Sequence, residues 1–290
     1  MLALTRPSVR RRLGPESKRF RWWRTLGDPA EGRKNDTTVK SVTLRSGGSM
    51  TQGETVLATR DLREGFYCSE LETPRGKPVR TFLPTGYEPN YPYPLLVFFH
   101  GQGSNEEQIL RLAPNLSRRN YVCISLRGTE ELGRGQDGEP GYGWGPDAPC
   151  DSAVEDYVLR AIEKTRRSYH IHSERIFLAG FCEGATLAFR LGLAHPEKFG
   201  GIISLNGRLP RGGAPFFRYP ELRQLRVLIG HGIANACVPH GVARADFKLL
   251  HTAGVRVQMH TYSTTHRIHP NMLRDIDRWI MRTIDAEAVD

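Results

Sequence analysis

From about residue 64 the chain alternates short, almost unbroken apolar runs with longer stretches whose apolar positions recur at helical spacing. "KPVRTFLP" reads as a strand closing on a Pro-Thr-Gly turn, and "YPLLVFFHG" as a strand apolar on both faces, the kind buried in a parallel sheet. The helical stretch "SNEEQILRLAPNLSRR" follows, with Ser104 in the N-cap position and a Glu three residues on. Next come the strand "YVCISLRG", the amphipathic helix "DSAVEDYVLRAIEKTRRSY", the strand "RIFLAGF" and the helix "GATLAFRLGLAHP". "FGGIISLNG" and "LRVLIGHG" read as strands, "GVARADFKLLHTAG" as a helix stopped by Gly254, and "VRVQMHTYS" as a strand. "PNMLRDIDRWIMRTIDA" is a closing helix that starts at Pro270. Alternating strands and helices predict a single domain over 64–287: a doubly wound, mostly parallel sheet with helices on both faces. Ligands in such sheets bind at the carboxyl ends of the strands, so the turns after the strands are the places to search.

Residues 1–48 break this pattern. They hold twelve Lys/Arg against four Asp/Glu, eight of the net charge of +10, and are expected to be a disordered basic tail. The pI near 9.6 therefore says little about partners of the folded part, and no nucleic-acid partner is expected. "RFRWWR" in that tail reads as a sticky segment without a dedicated role. No apolar run approaches the roughly 20 residues of a membrane span, and the start lacks a signal-peptide core. Five irregularly spaced cysteines suggest no disulfide framework, so a reducing cytoplasm is the expected compartment.

One of these cysteines carries the chemistry. "RIFLAGFCEGATLAFRLGLAHP" sets Gly-Phe-Cys-Glu-Gly between a strand and a helix. Glycines two before and two after Cys182 let a strand reverse sharply into a helix and hold the central side chain exposed at the sheet edge. The helix N-terminus favours negative charge there, and so favours a thiolate. A buried structural thiol in a glycine-bearing turn is the plainer alternative. "FFHGQGSNEEQ" supplies a second turn, in which the N–H of Gln102 could join that of Glu183 to hold a developing oxyanion.

With these motifs on the page, the chain resembles the α/β-hydrolase superfamily. The nearer likeness is to its phospholipase/carboxylesterase family, which includes acyl-protein thioesterase-like esterases. "LLVFFHGQGSNEEQI", "IFLAGFCEGATLAFRLGLAHPEKFGGIISLNG", "HGIANACVP" and "VQMHTYSTTHRIHPNMLRDIDRWI" carry it, in the family's order, over about residues 78–285. A cysteine in the elbow is similar to the dienelactone hydrolases of the same superfamily. The resemblance implies a nucleophile, acid and histidine in that order, which fall on Cys182, Asn235 and His266. Asn235 departs from the family's Asp.

The two departures fit one another. A thiol needs less help from its base than a hydroxyl does. It can rest as a thiolate beside an imidazolium, with an amide oxygen orienting the ring, as in Cys-His-Asn triads. His100 and His231 are expected to be structural, His260 solvated, and His269 to lie near the pocket. Cys237 falls close enough to Cys182 to suggest a possible disulfide, and no metal site is expected. The long loop "GTEELGRGQDGEPGYGWGPDAPC" leaves the active edge, and by the resemblance Tyr142 and Trp144 wall the substrate pocket.

These residues imply a monomeric or homodimeric ester or thioester hydrolase that works on small molecules without a cofactor. Acyl transfer, lactone hydrolysis and a binding module with weakened catalysis are the alternatives.

Overall fold

The protein was analysed as a computed structural model, which describes residues 63–71, 77–135, 138–145, 152–211 and 219–287. The predicted tail and its "RFRWWR" segment lie outside the described residues. A sheet of eight strands is built around β3 (Tyr93–Phe99), whose seven residues are all buried. On one side lies β4 (Val122–Leu126), parallel to β3 and buried throughout. β2 (Lys77–Leu83) pairs antiparallel with β4, and β1 (Gly65–Leu71) antiparallel with β2. On the other side β7 (Ile171–Phe181), β8 (Gly201–Leu205), β9 (Arg226–Gly232) and β10 (Arg256–Tyr262) continue in parallel. The order is therefore β1-β2-β4-β3-β7-β8-β9-β10, six parallel strands closed by an antiparallel pair. The central runs are apolar on both faces because helices cover both, the condition for a parallel sheet.

Helix α4 (Glu183–Ala194) packs on β3, β7 and β8, the one-turn α5 (Tyr219–Leu222) precedes β9, and α6 (His240–Thr252) packs on β9 and β10. Helix α3 (Ser152–Ser168) buries Val154, Tyr157, Val158, Ala161 and Ile162 on one face. The final helix is α7 (Pro270–Glu287), which packs on β9 and starts at the predicted proline. All the described elements belong to one compact unit.

Three details between β3 and α3 differ from the sequence pattern. The stretch after β3 is two short helices, α1 (Glu106–Leu110) and α2 (Ala113–Leu116), with Pro114 in the first turn of the second. Its cap is Asn105 and not Ser104: Asn105 Oδ1 accepts from the N–H groups of Glu107 and Gln108 at 3.1 and 3.0 Å. Such a cap contributes about 1 kcal/mol. Ser104 Oγ donates instead to Gln108 Oε1. Finally, the long loop contains a hairpin, β5 (Glu130–Arg134) with β6 (Pro140–Gly143). Its exposed charges and glycines gave no strand signal.

Candidate active site

Parallel strands all end on one edge, so the segments after β3, β7, β8, β9 and β10 converge there. Cys182 is the single residue between β7 and α4, at φ 56° and ψ −117°. A side chain at positive φ costs on the order of 1–3 kcal/mol and persists only where its surroundings impose it. Here they do. A Cβ on Gly180 would lie 2.1 Å from the Gly184 carbonyl oxygen, and one on Gly184 would lie 2.2 Å from that of Phe99. The Cys182 N–H donates to the Leu205 carbonyl at 3.0 Å, and its carbonyl accepts from Ala185 at 3.1 Å. The sulfur faces the main-chain N–H groups of Glu183 and Gln102, the pair expected for an oxyanion.

The turn bearing Gln102 is held from below. His100 is fully buried. Its Nδ1 donates to the Gly101 carbonyl and its Nε2 accepts from the Gly128 N–H, both at 2.9 Å, which fixes a neutral ring. Burial lowers His100 to about 4. Trp144 Nε1 donates to the His100 carbonyl at 3.0 Å, and its buried ring packs on Phe99 and His100 with centroids 5.5 and 5.2 Å away. Trp144 thus braces the turn from the core; the pocket-wall role the resemblance implied for it finds no exposed ring. The Tyr142 ring lies under the Arg127 guanidinium at 4.8 Å, while Arg127 pairs with buried Glu106 at 2.6 Å. Tyr142 also ties β6 to the turn through main-chain bonds with Gly103 and Ser104 at 2.9 and 2.8 Å.

The other half of the site follows β9 and β10. Gly232, where β9 ends, has no room for a Cβ, which would sit 2.4 Å from the Thr265 carbonyl oxygen. That close approach brings the turn of Asn235 against the loop of His266. Asn235 is buried, and its Oδ1 accepts from His266 Nδ1 at 3.0 Å and from the N–H groups of Cys237 and Val238 at 3.0 and 3.1 Å. The two main-chain donors determine which end of the amide faces the ring. His266 Nδ1 must therefore carry a proton, leaving Nε2 as the unprotonated nitrogen of the neutral imidazole. The ring lies against Phe181, the residue before Cys182, with centroids 4.9 Å apart.

The sulfur differs from expectation in its charge. Burial pushes the Cys182 thiol up to about 11, outweighing the two N–H donors, while nearby Cys237 and the Glu183 carboxyl push it further. These influences favour the thiol over the thiolate that the helix N-terminus led the sequence reading to expect. The Glu183 carboxyl is itself buried beside the main chain of Trp144 and Gly145, and burial raises it. Cys182 and Cys237 are unbridged, and Cys237 is exposed.

The other histidines weighed from the sequence make contacts of their own. His231 Nε2 donates to the Val238 carbonyl at 2.8 Å. His260 Nδ1 lies 3.6 Å from Asp275. His269 Nδ1 accepts from the Asn271 N–H at 3.1 Å, at the start of α7, so it serves the helix terminus. Sequence reasoning passed over Asn206. This buried residue after β8 donates through Nδ2 to the Arg267 carbonyl at 2.7 Å and accepts through Oδ1 from the Gly232 N–H at 2.8 Å. The available signal was a polar residue closing the apolar run "GIISL" at the active edge.

A strained elbow, an opposed N–H-bearing turn and a histidine from the last loop together define an α/β-hydrolase site. The sequence profile of the phospholipase/carboxylesterase family matches residues 90–284, and the chain belongs to that family. Acyl-protein thioesterase 1 of Mycosarcoma maydis is 30% identical over 125 residues, 41% of this chain and 52% of that protein. A protein of Oryza sativa subsp. japonica, named as a probable carboxylesterase, is 30% identical over 137 residues, 44% of this chain and 52% of its own length. The chain thus spans about half the length of these curated relatives. Among solved structures, a carboxylesterase from Mesorhizobium loti superposes with a TM-score of 0.60 over 74% of this chain and 98% of its own, at 19% identity. Zea mays acyl-protein thioesterase 2 gives 0.55 over 71% and 98%, also at 19% identity. Identity this low establishes the fold alone. Among the described residues, no group of three or more His, Cys, Asp or Glu could hold a metal ion, and no helix is long and apolar enough to cross a membrane.

Proposed function

We propose that the protein hydrolyses carboxylic esters or thioesters through an acyl-enzyme on Cys182, with His266 as general base and Asn235 orienting the ring. The observation that carries this reading is the 3.0 Å contact from Asn235 Oδ1 to His266 Nδ1, at an edge where two N–H groups face the Cys182 sulfur. Family membership and the names of the relatives support the reaction class.

The chemistry follows from the protonation states. His266 Nε2 takes the thiol proton as the sulfur attacks the carbonyl carbon, so no free thiolate is needed at rest. The carbonyl π electrons move to oxygen, which accepts from the Gln102 and Glu183 N–H groups; one such donor is worth about 10²–10³ in rate elsewhere. The tetrahedral adduct collapses, the bond to the alkoxy or thiolate group breaks, and His266 returns the proton to the leaving group. Water then attacks the thioester carbonyl with His266 again as base, releasing the carboxylic acid and restoring the thiol. Asn235 carries no proton in this cycle. It keeps Nδ1 protonated and the ring in place, the role the amide plays in Cys-His-Asn sites.

The test is a panel of p-nitrophenyl esters and acyl thioesters of increasing chain length, assayed with wild type and His266→Ala. Turnover of an ester or thioester that falls at least about 10³-fold in the variant supports the reading. Turnover that survives removal of the imidazole refutes it.

A further inference from the structure

We propose that Asn206 is a positioning residue that makes an amide, not a carboxylate, the suitable group at position 235. The inference rests on the reading of His266 as base and goes beyond it to a residue outside the expected triad. Cys182 and Asn206 are the only non-glycine residues with positive φ among the described residues, at 56° and 53°. Asparagine tolerates that backbone better than most side chains, and the conformation turns the Asn206 amide under the site.

Both ends of that amide are fixed by main-chain groups that cannot exchange roles. Nδ2 meets a carbonyl, that of Arg267, and Oδ1 meets an N–H, that of Gly232. Asn206 therefore must present oxygen, not nitrogen, to its third partner, the Asn235 side chain. That partner is Asn235 Nδ2 at 3.2 Å. Asn235 Nδ2 also lies 3.4 Å from His231 Nε2, but that nitrogen already directs its proton to the Val238 carbonyl, so it offers no lone pair. Asn206 Oδ1 is the acceptor that satisfies Asn235 Nδ2.

The consequence concerns both members of the pair. The Arg267 carbonyl adjoins His266, and Gly232 begins the turn to Asn235, so one buried side chain clamps the histidine loop to the turn that orients its ring. A carboxylate at 235 would set a negatively charged oxygen about 3.2 Å from Asn206 Oδ1, with no proton between them. Rotating the Asn206 amide would relieve this contact only by opposing the Gly232 N–H with an N–H and the Arg267 carbonyl with a carbonyl. The Asn at 235 is thus matched to its neighbour as well as to its cysteine.

A double-mutant cycle tests the match. Asn206→Gly retains the positive φ while removing the amide. Asn235→Asp, Asn206→Gly and the double variant are compared with wild type for kcat/KM on p-nitrophenyl acetate. The tautomer of His266 is read from its ring ¹⁵N shifts. With Asn206 intact, Asn235→Asp is expected to lower kcat/KM at least about 10-fold, and its cost should shrink several-fold in the Asn206→Gly background. Asn206→Gly alone is expected to leave the tautomer in place, because the Cys237 and Val238 N–H groups still hold Asn235 Oδ1 toward the ring, and to lower kcat/KM several-fold through kcat. Additive effects in the cycle, an Asn235→Asp enzyme as fast as wild type, or an Asn206→Gly enzyme with wild-type kcat/KM would overturn the proposal. If Asn206→Gly does not fold, Asn206→Asp replaces it. That variant keeps an acceptor toward Asn235 and loses the donor to Arg267, so the tautomer should hold while kcat/KM falls. A mixed tautomer there would count against the match. Should wild type leave every ester intact, the proposed activity fails, while the same cycle read as urea-denaturation midpoints still decides whether Asn206 discriminates between amide and carboxylate at 235.

Discussion

His266 Nδ1 meets Asn235 Oδ1 at 3.0 Å, and the same oxygen takes two main-chain N–H groups from the turn that follows it. One oxygen thus sets the tautomer of the ring and the shape of the turn. Asn235→Ala would remove all of these contacts and leave Asn206 Oδ1 facing a gap. A buried donor or acceptor left without a partner costs about 1–3 kcal/mol. The variant is expected to lose several degrees in Tm, and kcat should fall at least about 10²-fold, more than KM changes. Calorimetry together with steady-state kinetics checks both.

Burial pushes the Cys182 thiol up to about 11. Iodoacetamide needs the thiolate and brings no base with it, so alkylation at pH 7.5 is expected to be slower than for a small exposed thiol near pKa 8.5. The rate should keep rising past pH 9. Fast alkylation that levels off in the acid range would instead mean a thiolate–imidazolium pair at rest. Cys182→Ala provides the background reaction from Cys237.

The buried His100 ring makes stability depend on acidity. Its folded value of about 4 lies below the ordinary 6.5, so the unfolded chain binds the proton first as pH falls. This contribution is present in full above pH 6.5 and is lost as pH drops from 6.5 to about 4, amounting to roughly 3 kcal/mol. His100→Gln can retain a side-chain amide near Gly101 and Gly128 but does not titrate. It is expected to be less stable at pH 7.5 and to show a flatter loss between pH 6.5 and 4 in urea denaturation.

Gly101 lets the N–H-bearing turn close on the elbow. A Cβ there would meet the Phe181 ring at 2.9 Å and the Cys182 Cβ at 3.2 Å. Gly101→Ala must push the turn away from the sulfur and with it the Gln102 N–H. Loss of one oxyanion donor predicts a fall of about 10²–10³ in kcat with a small change in KM. Comparing the two constants for wild type and variant decides it.

The sheet was legible because its strands are buried on both faces and its helices are amphipathic, so "YPLLVFF" and "GIISL" announce themselves in composition alone. β1 escaped because it is an edge strand whose residues alternate between half-buried and exposed as far as buried Leu71, and β5 because Glu130–Arg134 is exposed throughout. Cys182 stood out by its glycine-flanked turn, whereas Asn235 and His266 were proposed only through the resemblance to the family and its residue order. The elevated thiol could not, since its cause is desolvation by segments distant in sequence. The role of Asn206 and the bracing role of Trp144 could not be read for a related reason. Their roles lie in bonds to Arg267, Gly232 and His100, contacts that only the folded sheet creates.

The acyl-enzyme itself is the most direct measurement. Wild type is mixed with p-nitrophenyl acetate, quenched in acid within the first turnover, digested and analysed by mass spectrometry alongside Cys182→Ala. The account predicts an acetyl group on the peptide containing Cys182, appearing with the p-nitrophenolate burst and absent from the variant. Acetyl on another residue, or a burst that persists once Cys182 is removed, would contradict it.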